Sequence, residues 1–166
     1  MPTDLWQSIQ SLLLLCAFED SSAVQQLAPV IQVLRQNLPN ANLLVLNRLE
    51  QGFELINHDS LTEQIKPSAF YPCTSDRDLV AWLHDHSFDA AIIFTRPSQS
   101  PYALAYLCYL AGIRIRLGQS REFGGGVLSP CVTPKANPVT VVAHHLHLLT
   151  SAGFSYTEST EAAIAH

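Results

Sequence analysis

The feature that most constrains this chain is the uninterrupted apolar run Leu12-Leu13-Leu14-Leu15-Cys16-Ala17-Phe18. A helix or strand with one face in water needs polar residues on that face, so a run with none reads as a strand covered on both sides. It falls far short of the ~20 apolar residues that a bilayer-crossing helix requires. The run therefore predicts a central strand between two helical layers. Asp89-Ala90-Ala91-Ile92-Ile93-Phe94-Thr95 has the same character and predicts a second one.

Helical periodicity fills the intervals between strands. Val24, Leu27, Ile31 and Leu34 lie on one stripe with Gln25, Gln32 and Arg35 turned away. Ser21 or Ser22 can cap that helix, and Pro29 predicts a kink or a division into two turns. Asn42 to Asn47 reads as the next strand. Gly52 to Ile56 reads as a short strand or helix, and the stretch from there to Cys73 as irregular. Ser75-x-x-Asp78 resembles a capping box at the start of a helix carrying Leu79, Val80, Trp82 and Leu83. An apolar helix follows from Tyr102 to Ala111, with Ser100 as its cap and Pro101 at its first position, and it stops at Gly112. Ile113 to Leu117 and Val127 to Val132 read as short strands. Asn137 and Pro138 predict the start of a last helix that Gly153 ends. Such alternation builds an α/β fold, a Rossmann-like, mostly parallel sheet with helices on both faces. Residues 1–155 are expected to form one domain, and 156–166 a frayed tail.

Composition narrows the function classes. Hydrophobic residues make up 48% and charged residues 14%, which excludes a disordered chain. The net charge of −5, with no block of Lys or Arg, argues against nucleic-acid binding. No segment is long and apolar enough for a membrane span. Met1 to Gln10 has no basic residue ahead of the apolar run, unlike a secretory leader, so a cytoplasmic location is expected. Cys16, Cys73, Cys108 and Cys131 are widely spaced, which predicts buried free thiols and not a zinc or redox motif. No cofactor and no metal are implied.

Ligands of parallel sheets bind beyond the C-terminal ends of the strands. That rule singles out three loops: Phe18 to Ser22, Thr95 to Pro101 and Gly118 to Gly126. Arg96 follows the clearest strand. Gly124-Gly125-Gly126, with Arg116 and Arg121 nearby, reads either as an anion cradle built from backbone N–H groups or as a plain turn. His144, His145 and His147 read either as part of a metal site or as surface histidines of an amphipathic helix, the second being the simpler account.

Three stretches, in order, resemble the N-terminal domain of glycosyltransferase family 9, the heptosyltransferase-like family. The first is Leu13 to Pro29, where the family has an apolar strand, R-L-S-S-L-G-D and a helix start with proline. The second is Phe88-Asp89-Ala90-Ala91-Ile92-Ile93 with Tyr106-Leu107-Cys108-Tyr109-Leu110-Ala111-Gly112-Ile113-Arg114-Ile115-Arg116, similar to "YDxxI … LxxLAGxxxRIG". The third is Val142 to Phe154, similar to a helix ending in L-L-x-x-x-G. The resemblance implies the acceptor-binding half of a GT-B fold. The donor-binding half would then come from a separate partner chain or have been lost, with self-association as another way to cover the cleft face.

The likeness also implies a lost catalytic group. With Pro29 aligned, the family's G-D falls on Ser22 and Ala23, and alanine cannot take a proton from an acceptor hydroxyl. Asp20 or Glu19, in the same turn, are the candidate substitutes; the alternative is that both are exposed loop carboxylates. Thr140, Ala143 and His144 replace further polar positions of the family. The candidate ligand contacts are Ser21, Ser22, Arg96, Arg116, Arg121, Gly124 and Gly125, for a sugar or anionic small molecule. The expected function is a family 9-like acceptor-binding domain, either degenerate in catalysis or acting with a separate donor-binding domain; the alternative is a non-catalytic binding or assembly module. A flavodoxin-like cofactor domain fits less well, because the first loop lacks a Ser/Thr/Gly-rich phosphate pattern.

Overall fold

The computed structural model describes residues 4–57, 66–72, 75–137 and 140–156, of which 21–22, 57 and 66–70 are described by backbone alone. A single sheet of seven strands organises them, in the order β4-β3-β2-β1-β5-β6-β7. These strands are β1 (Ser11–Cys16), β2 (Asn42–Leu49), β3 (Gly52–Asn57), β4 (Lys66–Pro72), β5 (Ala90–Phe94), β6 (Ile115–Gln119) and β7 (Cys131–Val132). The pairs β2–β1, β1–β5, β5–β6 and β6–β7 are parallel, and β3 runs antiparallel to both of its neighbours.

The apolar run becomes the middle of the sheet for the reason its composition demands. Side chains alternate across a strand. Leu12, Leu14 and Cys16 enter one core, and Leu13 and Leu15 enter the other. All five are fully buried. The first core is covered by α1 (Asp4–Gln7), a 3-10 helix over Ser21–Leu27, α2 (Ala28–Asn37) and α5 (Val141–Ser151). The second is covered by α3 (Asp76–His86) and α4 (Tyr102–Leu110). The chain is thus a Rossmann-like α/β domain with helices on both faces. Tyr156, expected in the tail, packs against the first core; residues 157–166 lie outside those described.

Several boundaries differ from expectation. Pro29 does divide the second helix: the segment before it is 3-10, and α2 begins with proline in its first turn. The stretch expected to be irregular contains β4, which extends the β2–β3 hairpin as an edge strand. Its two prolines, Pro67 and Pro72, are tolerated there because an edge strand has one unpaired side. Ser75 caps α3 as predicted, its Oγ accepting from Asp78 N at 3.3 Å. The last helix starts later than Asn137: Thr140 is its cap, with Oγ1 accepting from Ala143 N at 3.1 Å. Pro138 and Cys73 lie outside the described residues. Cys16 and Cys108 are buried free thiols, whereas Cys131, at the sheet edge, is exposed.

Candidate functional site

The chain leaves β1 for β2 on one side and returns to β5 on the other, so the strand order reverses between β1 and β5. That is where an open α/β sheet ordinarily offers a crevice. Here it is filled. Phe18, Phe94 and His145 meet over it, with the His145 ring 5.6 Å from that of Phe18 and 5.2 Å from that of Phe94. The loops above are tied together as well. Gln99 Nε2 donates to Ala17 O at 2.8 Å, and the Arg96 guanidinium donates to Phe18 O. Arg96, expected to contact a ligand, closes the crevice.

The first loop is fixed from below. Asn47, wholly buried at the end of β2, accepts from Phe18 N at 3.2 Å and donates to the buried Glu54 carboxylate at 2.9 Å. Beyond it the chain turns sharply. Glu19 sits in the left-handed region (φ 60°) and both Glu19 and Asp20 are exposed. Asp20 O accepts from Ala23 N at 3.3 Å, closing the turn into the 3-10 helix. Ser21 and Ser22 stand at the start of that helix, and Ala23 packs against the first core.

The open cleft lies one strand further along, beyond the C-terminal ends of β5, β6 and β7. It has a volume of about 330 Å³ and is lined by residues 97–100, 119–122, 134–137 and His144 of α5. Two of the three loops named from the sequence therefore meet here, and the first does not. Neither Glu19 nor Asp20 lines it. Arg121 does, donating to Pro134 O at 2.8 Å, and Lys135 adds a second cation. Glu122 also lines it, its carboxylate accepting from Ser100 Oγ at 3.3 Å. The Ser100 hydroxyl further accepts from Tyr102 N at 3.3 Å, but the cap of α4 is Pro101 and not Ser100 as expected.

Arg116 corrects the sequence reading. It is buried, and its guanidinium donates to the carbonyls of Val127, Gly126, Ile113 and Arg114, with Tyr109 stacked 5.2 Å away. A guanidinium has five N–H donors, so little remains for an anion. Arg116 pins the glycine loop. That loop is a packed turn: a Cβ on Gly124 would meet the Tyr102 ring at 2.0 Å, and Gly125 holds φ 60°. Tyr102 OH donates to Glu122 O at 2.6 Å, binding the same loop to α4.

Two of the three histidines of α5 are not surface residues, and His147 is partly exposed. His145 is fully buried and His144 nearly so. Burial, reinforced by the neighbouring His144, pushes the His145 pKa down to about 3. Burial, with His147 nearby, also lowers that of His144. Both are neutral imidazoles at neutral pH. His147 Nε2 lies 2.9 Å from Thr133 O. Among the described residues no group of three or more His, Cys, Asp and Glu is placed to hold a metal ion. No described helix is long and apolar enough to cross a membrane.

Two cleft residues had no signature in the sequence reading as ligand contacts. Gln119 ends β6 and is 4% exposed; His144 faces it from α5 and is 6% exposed. Gln119 Nε2 donates to His144 O at 2.9 Å. Gln119 Oε1 and His144 Nε2, both buried, have no hydrogen-bond partner among the described residues. Native structures leave few such atoms, and each calls for an explanation.

The fold and this cleft define the class: a Rossmann-like α/β domain with a cleft of mixed polar and apolar lining beyond three of its strand ends. No family model matches the chain, and no curated protein matches it. Among solved structures it is similar to D-alanyl-alanine synthetase A from Vibrio cholerae O1 biovar eltor. That likeness is 18% in sequence identity, with a TM-score of 0.36 over 66% of this chain and 31% of that one. The chain thus spans about a third of that structure, and the overlap is too slight to assign a function.

Proposed function

We propose that this chain is an acceptor-type domain related to glycosyltransferase family 9, holding a sugar or anionic small molecule in the β5–β7 cleft without itself performing transfer. The observation that carries the reading is the cleft's make-up: hydroxyl and amide groups inside, with Arg121 and Lys135 among its walls. The three stretches of family likeness add to it. Ala23 supports the absence of transfer chemistry, because it replaces the expected acid and rests on apolar neighbours. Asp20 and Glu19 are poor substitutes in this reading, since they stand outside the cleft. Donor recognition then belongs to a separate donor-binding domain, and a cytoplasmic setting fits such a partner.

An assembly module is the second reading. Tyr106, Tyr109 and Leu110 on α4 are about half exposed, and Phe123 is 98% exposed. Exposed apolar groups of this kind favour a partner surface. Titration calorimetry separates the two. The leading reading expects sugar phosphates to bind the chain and nucleotide sugars to bind weakly or not at all. Tight binding of a nucleotide sugar would overturn the assignment of donor recognition elsewhere.

A further inference from the structure

Four buried polar atoms lack a protein partner among the described residues: Gln119 Oε1, His144 Nε2 and both ring nitrogens of His145. His145 is shut between Phe18 and Phe94, away from any opening. Gln119 and His144 differ, because both line the cleft. The bond from Gln119 Nε2 to the His144 carbonyl fixes which end of the amide is oxygen, and it leaves that oxygen free. An amide oxygen only accepts, so whatever completes it must donate a hydrogen bond.

This requirement sorts ligand groups by chemistry. A phosphate monoester dianion or a carboxylate brings acceptors only and cannot satisfy Gln119 Oε1. A hydroxyl both donates and accepts. It therefore suits Gln119 Oε1, and it suits His144 Nε2 whichever nitrogen of that ring carries the proton. Cations stand at other points of the wall: Arg121 spends one N–H on Pro134 O, and Lys135 lies beside it in sequence. Glu122 adds a negative charge there, which disfavours a second anionic group. A cleft of about 330 Å³ is at the small end of ligand pockets, ~300–1,000 Å³, and suits one sugar-sized unit.

We propose that Gln119 and His144 are the specificity-determining residues of this cleft, and that they read a polyol carrying one anionic group with its hydroxyl end inward. Neighbouring hydroxyls meet Gln119 Oε1 and His144 Nε2 while Gln119 Nε2 keeps its bond to the His144 carbonyl. The anion stays with Arg121 and Lys135. This rests on the reading of the cleft as the ligand site, and adds the orientation and the residues that set it.

The test is titration calorimetry at pH 8 on the full chain with glucose 6-phosphate and, separately, methyl phosphate, a phosphate whose dianion has no O–H donor. The wild type is compared with Gln119→Met and Arg121→Ala. Glucose 6-phosphate is expected to bind about tenfold or more tightly than methyl phosphate, the worth of roughly one well-made buried hydrogen bond. Gln119→Met removes that advantage and leaves methyl phosphate binding unchanged, whereas Arg121→Ala weakens both probes. Methyl phosphate binding as tightly as glucose 6-phosphate, or an advantage that survives Gln119→Met, overturns the orientation while the cleft stands as the site. Binding of neither probe, or amide shifts confined to residues outside the cleft, overturns the site reading as well. If Gln119→Met does not fold, the side-chain amide resonances of Gln119 decide. They shift with glucose 6-phosphate and not with methyl phosphate; no shift with either contradicts the proposal.

Discussion

Acidification should destabilise this domain through His145, and the size of the effect follows from where that ring sits. It is fully buried between Phe18 and Phe94, with neither nitrogen hydrogen-bonded among the described residues. Its pKa is about 3 in the folded chain, against 6.5 for a free side chain. Below about pH 6.5 the unfolded chain takes up a proton that the folded chain refuses. The stability contribution is therefore complete above that pH, shrinks as pH falls and levels off near pH 3. For one histidine the loss at pH 5 is about 2 kcal/mol. His144 acts in the same direction. Urea unfolding at pH 7 and pH 5 measures this directly, with His145→Leu as the comparison. Wild type should lose about 2 kcal/mol more than the variant between the two conditions. At pH 7 the variant should match or exceed wild type, since leucine leaves no buried nitrogen without a partner. Equal losses in the two proteins would mean that His145 is protonated or solvated in the folded state, and would refute the reasoning.

Three further outcomes follow from the loop and cap geometry. Arg116→Lys should destabilise by about 2–4 kcal/mol in urea unfolding, because an ammonium cannot reach the four carbonyls that the guanidinium holds. Gly124→Ala should cost about 1–3 kcal/mol by the same measurement, since its Cβ would strike the Tyr102 ring. Gly126→Ala, where a Cβ meets nothing within 4 Å, should stay within about 0.5 kcal/mol of wild type. Thr140→Ala should lower the thermal midpoint by removing about 1 kcal/mol of cap, and Asn137→Ala should leave it nearly unchanged. A larger effect at Asn137 than at Thr140 would contradict the observed helix start.

The fold was legible because its central strands advertise themselves. Leu12 to Cys16 and Ala90 to Phe94 are apolar at every position, and only a sheet covered on both faces accommodates that. The edges were less legible. β4 has prolines near both ends, and sequence reasoning demotes such segments even though an edge position tolerates them. Asn137-Pro138 carries the composition of a helix start, but Thr140 makes the cap bond. Residue types alone could not reveal which polar side chains were already spent. Arg116 and Arg121 look alike in sequence; one is consumed by loop carbonyls and the other lines the cleft. Gln119 belongs to no motif, and His144 stands out in the sequence only as one of a histidine cluster and a replaced family position. Their distinction comes from tertiary packing, which buries each while leaving one atom without a partner. The signal available beforehand was the strand-end rule, which pointed to the Gly118 to Gly126 loop in which Gln119 lies.

The central claim is that the ligand site is the β5–β7 cleft and not the turn after β1. Backbone amide shifts during titration with glucose 6-phosphate test it most directly. Shifts should cluster at residues 97–100, 119–122 and 134–137, with Glu19 to Ala23 unmoved. Shifts centred on Glu19 to Ala23, with residues 119–122 silent, would contradict it.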